Sequence, residues 1–306
     1  MNARAAGEGR GASVRAAALD WPRDANDWPL RSWSHFVEAG GLRWHVQRSP
    51  GARRQPAAVL IHGTGASTHS WAALAPLIAQ DMPVLSMDLP GHAFTSPLPQ
   101  GDPSLPGLAR AVAELIATLK VEVGLLIGHS AGAAIGAQMC LDGACAPRRL
   151  VSLNGAWFPF AGFPGSFFSP MAKLLAMNPL VPQLFAWRAG SDAVIDRLLG
   201  ATGSRVDPAS RAIYARLLRN PQHAAGALAM MACWDLKPLQ QRLAQLGTPL
   251  QLLVGLQDHM VSPEQARSVR ALAPTAELCE LPGLGHLAHE EDPARVWDTI
   301  RAACCP

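Results

Sequence analysis

A serine flanked by two glycines, in Gly128-His129-Ser130-Ala131-Gly132, constrains the fold of this chain more than any other feature. It follows the apolar run 123–127, typical of a buried strand, and precedes the run of mostly small residues 133–139, typical of a helix packed closely on a sheet. This pattern predicts a tight strand-to-helix turn, which holds the serine in a strained conformation at the helix N-terminus. Because the helix dipole favours negative charge there, we predict that Ser130 is a nucleophile.

A serine hydroxyl needs a base to take its proton and a third group to orient that base. With a turn of this kind the acid and then the histidine follow the serine along the chain. Asp258 comes three residues after the apolar strand 249–255, and His286 ends the loop that follows the strand 276–281. Ser130, Asp258 and His286 are therefore the predicted catalytic residues.

A helix is predicted directly after Asp258. Ser262 is its expected N-cap, Pro263 its first residue and Gln265 the capping-box partner of Ser262. Asp258 is thus expected on a strand-to-helix loop at the carboxyl edge of the sheet, where ligands bind in open α/β folds.

An early loop is the candidate for the oxyanion hole. The strand 57–61 runs into His62-Gly63-Thr64-Gly65. We predict that the backbone N–H groups of Ala131 and Thr64 stabilise the oxyanion. A dinucleotide-binding loop is the alternative, but Thr68 stands where its third glycine would fall.

The remaining polar residues near these motifs have weaker functional signals. His129 is expected at the pocket floor rather than in proton transfer. His286 and His289 lack the glutamate and the spacing of a zinc-binding helix, so no metal or other cofactor is predicted. Asn154 ends the strand 149–153, where some hydrolases place the acid; here it is an amide, so Asp258 has no obvious rival.

The motifs together resemble the α/β-hydrolase superfamily, from about Phe36 to the C-terminus. Within it, the chain is similar to the BchO-type hydrolases of bacteriochlorophyll biosynthesis, often described as magnesium-chelatase accessory proteins. The segments that carry this similarity are 19–22, 26–29, 36–47, 62–71 and 128–134. One departure is Ala93, because related hydrolases usually carry glycine at that position.

The expected fold is α/β, with a mostly parallel central sheet flanked by helices and a helical cap insertion. We expect a flexible N-terminal segment over 1–31, a hydrolase core over 32–155 and 236–306, and a cap over 156–235. A hairpin over 36–47, turned at Gly40 and Gly41, should open the sheet.

The first half of the predicted cap is unusually apolar, since Lys173 is its only charged residue between positions 156 and 187. It could simply cover the core, line a hydrophobic substrate pocket or touch a membrane. Trp157, Phe158, Phe163 and Phe167 are the candidate pocket residues.

Composition and net charge limit the classes of partner that we expect for this chain. The net charge is only +3, and no basic cluster is interleaved with aromatic residues, so nucleic acid is not an expected partner. The six cysteines fit neither a zinc site nor a disulfide framework, and no run reaches the length of a membrane span. We expect a cytoplasmic protein with peripheral membrane contact.

Two functions follow. The first is a serine hydrolase that cleaves an ester or similar acyl bond of a hydrophobic substrate such as a tetrapyrrole, with C–C hydrolysis and perhydrolysis open because they use the same triad. Ser130 argues against dehalogenase and epoxide hydrolase chemistry, which use a carboxylate nucleophile. The second is a non-catalytic accessory protein that binds a porphyrin or associates with the magnesium chelatase.

Overall fold

The computed structural model describes residues 18–51, 56–98, 102–158, 178 and 180–302. In this part of the chain, eight strands form one sheet in the order β1-β2-β4-β3-β5-β6-β7-β8. The strands are β1 (Ser34–Ala39), β2 (Leu42–Arg48), β3 (Ala57–Ile61), β4 (Val84–Met87), β5 (Val123–His129), β6 (Arg149–Leu153), β7 (Leu250–Gly255) and β8 (Ala276–Leu281). The expected α/β fold class is confirmed.

The sheet is antiparallel at one edge and parallel elsewhere. The hairpin β1–β2 pairs Ala39 with Leu42 across Gly40 and Gly41, as expected, and β2 runs antiparallel to β4. From β4 to β8 all pairs are parallel. The carboxyl ends of these strands therefore meet along one edge, where the loops after β3, β5, β7 and β8 lie close together.

Helices cover both faces of the sheet. The core helices are α2 (Leu74–Ile78), α3 (Leu105–Thr118), α4 (Ala131–Leu141), α9 (Lys237–Arg242), α10 (Pro263–Leu272), α11 (Ala288–Glu291) and α12 (Pro293–Ala302), and a short helix α1 (Trp21–Asp24) precedes the sheet. Alternate strand residues face opposite sides: Val59 and Ile61 pack in one apolar cluster, and Ala58 and Leu60 in another. Burial on both faces explains why these strands are continuous apolar runs.

Specific hydrogen bonds define the N-terminus of helix α10. At α10 the Oγ of Ser262 accepts a hydrogen bond from the N–H of Glu264, as an N-cap should. The predicted capping box is wrong, however. The Oε1 of Gln265 accepts instead from the N–H groups of Trp157 and Phe158, which ties α10 to the start of the cap.

Four helices of the described residues lie between β6 and α9, in the region expected to be a cap: α5 (Leu180–Arg188), α6 (Asp192–Gly200), α7 (Pro208–Leu218) and α8 (Pro221–Ala232). Arg211 on α7 pairs with Asp192 and Asp196 of α6, and Arg219 also pairs with Asp192. Because all three carboxylate–guanidinium pairs are partly exposed, their main effect is to orient the two helices.

Residues 18–31 pack against the rest of the chain. Trp28 and Ala25 are buried against Phe94 and the α7 residues Ile213 and Leu217. Arg216 of α7 binds the Asp27 carboxylate through two N–H groups. The segment therefore packs between the sheet edge and the cap, because its tryptophans bury more apolar surface than a solvated tail could.

Candidate active site

Ser130 occupies the turn between β5 and α4 with φ 52° and ψ −116°. Residues other than glycine rarely adopt a positive φ. Such a conformation costs about 1–3 kcal/mol and persists only where the surroundings impose it. Here they do: the N–H of Ser130 donates to Leu153 O, and its C=O accepts from Ala133 N and Ala156 N. The turn is thereby fixed to the end of β6 as well as to its own helix.

The two flanking glycines are required by close packing. A Cβ on Gly128 would collide with the backbone of Gly132 and Ala133, and a Cβ on Gly132 would collide with Ile61 O at the end of β3. The helix α4 can therefore approach the sheet only because both positions lack a side chain.

The structure brings Asp258 and His286 together. Nδ1 of His286 lies 2.7 Å from Oδ2 of Asp258, and both residues are buried. The other carboxylate oxygen accepts from the backbone N–H groups of Met260 and Val261, each at 2.8 Å. These bonds hold the carboxylate in one orientation, and its contact with Nδ1 leaves Nε2 of His286 as the nitrogen available for proton transfer.

Asn154 is a member of this group that the sequence did not predict. Its Nδ2 donates to Oδ2 of Asp258 at 2.8 Å. The residue follows β6 with φ 47°, so the end of the neighbouring strand aims the amide at the acid. Asn154 stands where some hydrolases carry the acid; here its amide instead binds the acid that follows β7.

His129 contacts the loop that carries His286. Its ring centroid lies 4.7 Å from that of His286, and its Nε2 donates to His286 O at 3.0 Å. Burial holds the pKa of His129 well below 6.5, so the ring is neutral. His129 therefore positions the His286 backbone, and among the residues that the structure describes its Nδ1 has no hydrogen-bond partner.

The loop after β3 lies beside Ser130. A Cβ on Gly63 would come within 2.9 Å of Ser130 Cβ and 3.0 Å of His129 Nδ1. Gly63 O accepts from His62 Nδ1 at 2.7 Å and from Ala66 N. Since N–H and C=O point in opposite directions across a trans peptide, Thr64 N–H points away from those donors.

A second loop, residues 88–94, holds the loop after β3 in place. The N–H of Leu89 donates to His62 Nε2 at 2.8 Å, which places the His62 proton on Nδ1. Oδ1 of Asp88 accepts from Thr68 N at 2.7 Å. Burial alone would raise the pKa of Asp88, but His45, 2.7 Å away, and the hydrogen bonds lower it to about 2.

His223 of helix α8 in the cap contacts the loop after β3. Its Nε2 donates to Gly65 O at 3.1 Å, and its Nδ1 accepts from Ala93 N at 2.9 Å. Ala93, which stands where related hydrolases carry glycine, adopts φ 40°. His223 thus links the backbone N–H of the strained residue Ala93 to the carbonyl of Gly65, the residue after Thr64.

The predicted pocket residues lie in different places. Trp157 has no exposed surface and packs in the core, where its Nε1 donates to Ser152 Oγ. Phe158 is half-buried against the core. Phe163 and Phe167 lie outside the described residues.

Within the described ranges, no three His, Cys, Asp or Glu side chains come together as a metal site. In the same ranges, no helix is long and apolar enough to cross a membrane.

The architecture agrees with comparisons to known proteins. The model of the alpha/beta hydrolase family matches residues 58–299. The chain belongs to this family. It is 35% identical over 264 residues to the magnesium-chelatase 30 kDa subunit of Rhodobacter capsulatus, a match that covers 86% of this chain and 92% of that protein. The resemblance drawn from the sequence is confirmed.

Solved structures of this family show the same fold. An alpha/beta hydrolase fold protein from Burkholderia ambifaria superposes with a TM-score of 0.70 at 21% identity, over 89% of this chain and 99% of its own. The enol-lactonase from Burkholderia xenovorans LB400 gives 0.69 at 19% identity, over 89% and 100%.

Burial of the histidines around the site predicts unusual acid sensitivity. Burial lowers the pKa of each, to about 3 for His69 and His289 and to about 4 for His223. It also lowers the pKa of His62, His92 and His129. As the pH falls below 6.5, the unfolded chain binds protons that the folded chain does not. We expect each histidine whose folded pKa lies well below the working pH to lower the free energy of unfolding by up to about 1.4 kcal/mol per pH unit.

Urea unfolding between pH 7.5 and 5 measures this slope. An unfolding free energy that stays constant from pH 7 to pH 5 would contradict the prediction.

Proposed function

We propose that this chain is a serine hydrolase with Ser130 as nucleophile, His286 as general base and Asp258 as the acid that orients it. The observation that carries the proposal is the buried 2.7 Å contact between His286 Nδ1 and Asp258 Oδ2, at the strand edge where the Ser130 turn lies. Such an arrangement suits acyl transfer, because the acid stabilises the imidazolium that forms when the base takes the serine proton.

The proposed reaction has two halves. Ser130 Oγ attacks the carbonyl carbon of an ester while His286 Nε2 takes its proton, and the N–H groups of Ala131 and Thr64 stabilise the oxyanion. His286 then protonates the departing alcohol, leaving an acyl group on Ser130. Water, deprotonated by His286, attacks that acyl group and releases the acid.

A hydrophobic substrate of (bacterio)chlorophyll biosynthesis, such as a tetrapyrrole ester, is the substrate that we propose. The likeness to a magnesium-chelatase subunit supports the pathway. The apolar composition of residues 156–187, with one charged side chain, supports the hydrophobic class.

A second candidate function is that of a non-catalytic accessory protein, which binds a porphyrin or associates with the magnesium chelatase. The same relative favours it, because its name is that of a chelatase subunit rather than of a hydrolase. Both functions predict binding, but only the first requires the hydroxyl of Ser130.

Replacing the nucleophile tests the reaction. Ser130→Ala should abolish covalent labelling by a fluorophosphonate and hydrolysis of a small p-nitrophenyl ester, since no other group forms the acyl intermediate. Asp258→Asn should fold and lose about 10⁴-fold in kcat, because His286 then takes the wrong tautomer. The exposed cap residue Ser191 gives a matched control: Ser191→Ala should label like wild type. Labelling of Ser130→Ala at another serine would refute the assignment.

Complementation separates the two functions. In a pigment-making host that lacks this gene, Ser130→Ala should restore no more bacteriochlorophyll than an empty vector does, because the pathway needs the acyl intermediate. Immunoblots compare the level of the Ser130→Ala protein with that of the wild-type protein. Normal pigment with Ser130→Ala would favour the accessory function and overturn the catalytic one.

We further propose peripheral membrane contact through α5. Leu180, Leu184 and Trp187 lie at helical spacing and are 65%, 54% and 75% exposed. Tryptophan prefers the membrane–water interface, and α5 contains no acidic residue that anionic lipid would repel.

Sedimentation with vesicles tests this contact. Wild-type protein should sediment with vesicles containing anionic lipid, and the double variant Leu184→Ser with Trp187→Ser should remain in the supernatant. Leu272→Ser, at an exposed leucine of α10, is the control and should bind like wild type. Equal sedimentation of the α5 variant would contradict the proposal.

A further inference from the structure

A short segment of the cap lies directly against the loop that carries His286. We call residues 202–205, which connect α6 to α7, the cap crosspiece. Thr202 O accepts the backbone hydrogen bond of His286 N at 3.0 Å. Ser204 Oγ accepts that of Leu287 N at 2.8 Å. Two successive N–H groups of the histidine loop therefore have their acceptors in the cap rather than in the core.

The crosspiece itself is held rigidly. Thr202 Oγ1 donates to Leu199 O at the end of α6 and accepts from Ser204 N at 3.1 Å. At its other end, Glu291 joins it to the histidine loop: Oε2 accepts from Arg205 N at 3.1 Å and Oε1 from Gly285 N at 2.7 Å. One carboxylate thus fixes the spacing between the cap segment and the residue before His286.

The crosspiece also contacts the loop of the acid. Gly203 adopts φ 72°, and a Cβ there would collide with Gln257 O, the residue before Asp258. A Cβ on Gly285 would come within 2.5 Å of Gly203 C and of Ser204 Oγ. Gln257 N in turn donates to Leu284 O at 2.8 Å. The acid loop, the base loop and the cap are packed backbone to backbone at this point.

We propose that the cap crosspiece positions His286 against Asp258, with Ser204 and Glu291 as its positioning residues, so that docking of the cap completes the base. Without these acceptors, the N–H groups of Gly285, His286 and Leu287 would lose their partners, and the loop would have no unique orientation. The catalytic meaning of the proposal rests on the proposed function, but the geometric claim does not.

Kinetics of Ser204 variants test the catalytic consequence. We expect Ser204→Ala to lower kcat for a small p-nitrophenyl ester about tenfold per titrated active site, with KM nearly unchanged. Ser204→Thr, which keeps a hydroxyl oxygen, should recover most of the rate. Ser191→Ala is the matched control in the same cap, since the Ser191 side chain makes no capping hydrogen bond, and it should have the wild-type rate. Glu291→Gln provides a second, independent variant, with a similar loss of kcat.

Proton NMR tests the geometry without relying on activity. The proton between His286 Nδ1 and Asp258 should resonate at low field, and Asp258→Asn identifies it by its loss. The buried His45–Asp88 pair, also 2.7 Å apart, should give a second low-field signal that serves as an internal reference. Ser204→Ala and Glu291→Gln should shift or broaden the His286 signal and leave that of His45 unchanged.

The outcomes are distinguishable. A selective change of the His286 signal supports positioning by the crosspiece, even if wild-type protein hydrolyses no ester and the proposed function fails. Unchanged His286 signals in both variants overturn the positioning role, whatever happens to their thermal stability. A lowered melting temperature with wild-type kcat per active site likewise means that the contacts are only structural.

Discussion

The rest of this structure depends on the strained turn at Ser130. A positive φ at a serine persists only where the surrounding backbone leaves no alternative, and here three hydrogen bonds fix it between β6 and α4. The cost is met by the packing of α4 on β3 and β5, which two glycines make possible. The loops after β3 and β8 lie beside this turn, at the Ser130 backbone and at His129.

Around the turn, each candidate loop is also bound by residues outside it. Asp88 and Leu89 bind the segment after β3, Asn154 binds Asp258, and residues 202–204 of the cap bind the histidine loop. The cap therefore supplies hydrogen-bond acceptors to the loop that carries His286.

Histidine has an unusual place in this protein. Burial lowers the pKa of six of its ten histidines, and two of these six, His62 and His223, each donate one hydrogen bond and accept another beside the candidate site. A neutral imidazole can join two backbone groups across a gap, as His223 joins Gly65 to Ala93, without the desolvation cost of a charge. The same choice makes folding dependent on the histidines remaining unprotonated.

The sequence by itself determined the features that depend on local pattern. The hairpin at Gly40, the turn at Ser130 and the positions of Asp258 and His286, each in the loop after a strand, follow from glycine positions and strand periodicity, because each involves residues close together in the chain. Only the tertiary structure decided which groups support them. Asn154 is 104 residues from Asp258, and Ser204 is 83 from Leu287, so no local pattern marks either contact. For the same reason Trp28 proved to be buried and Gln265 bound the cap instead of its own helix: side chains with several possible partners take the one that packing brings within reach.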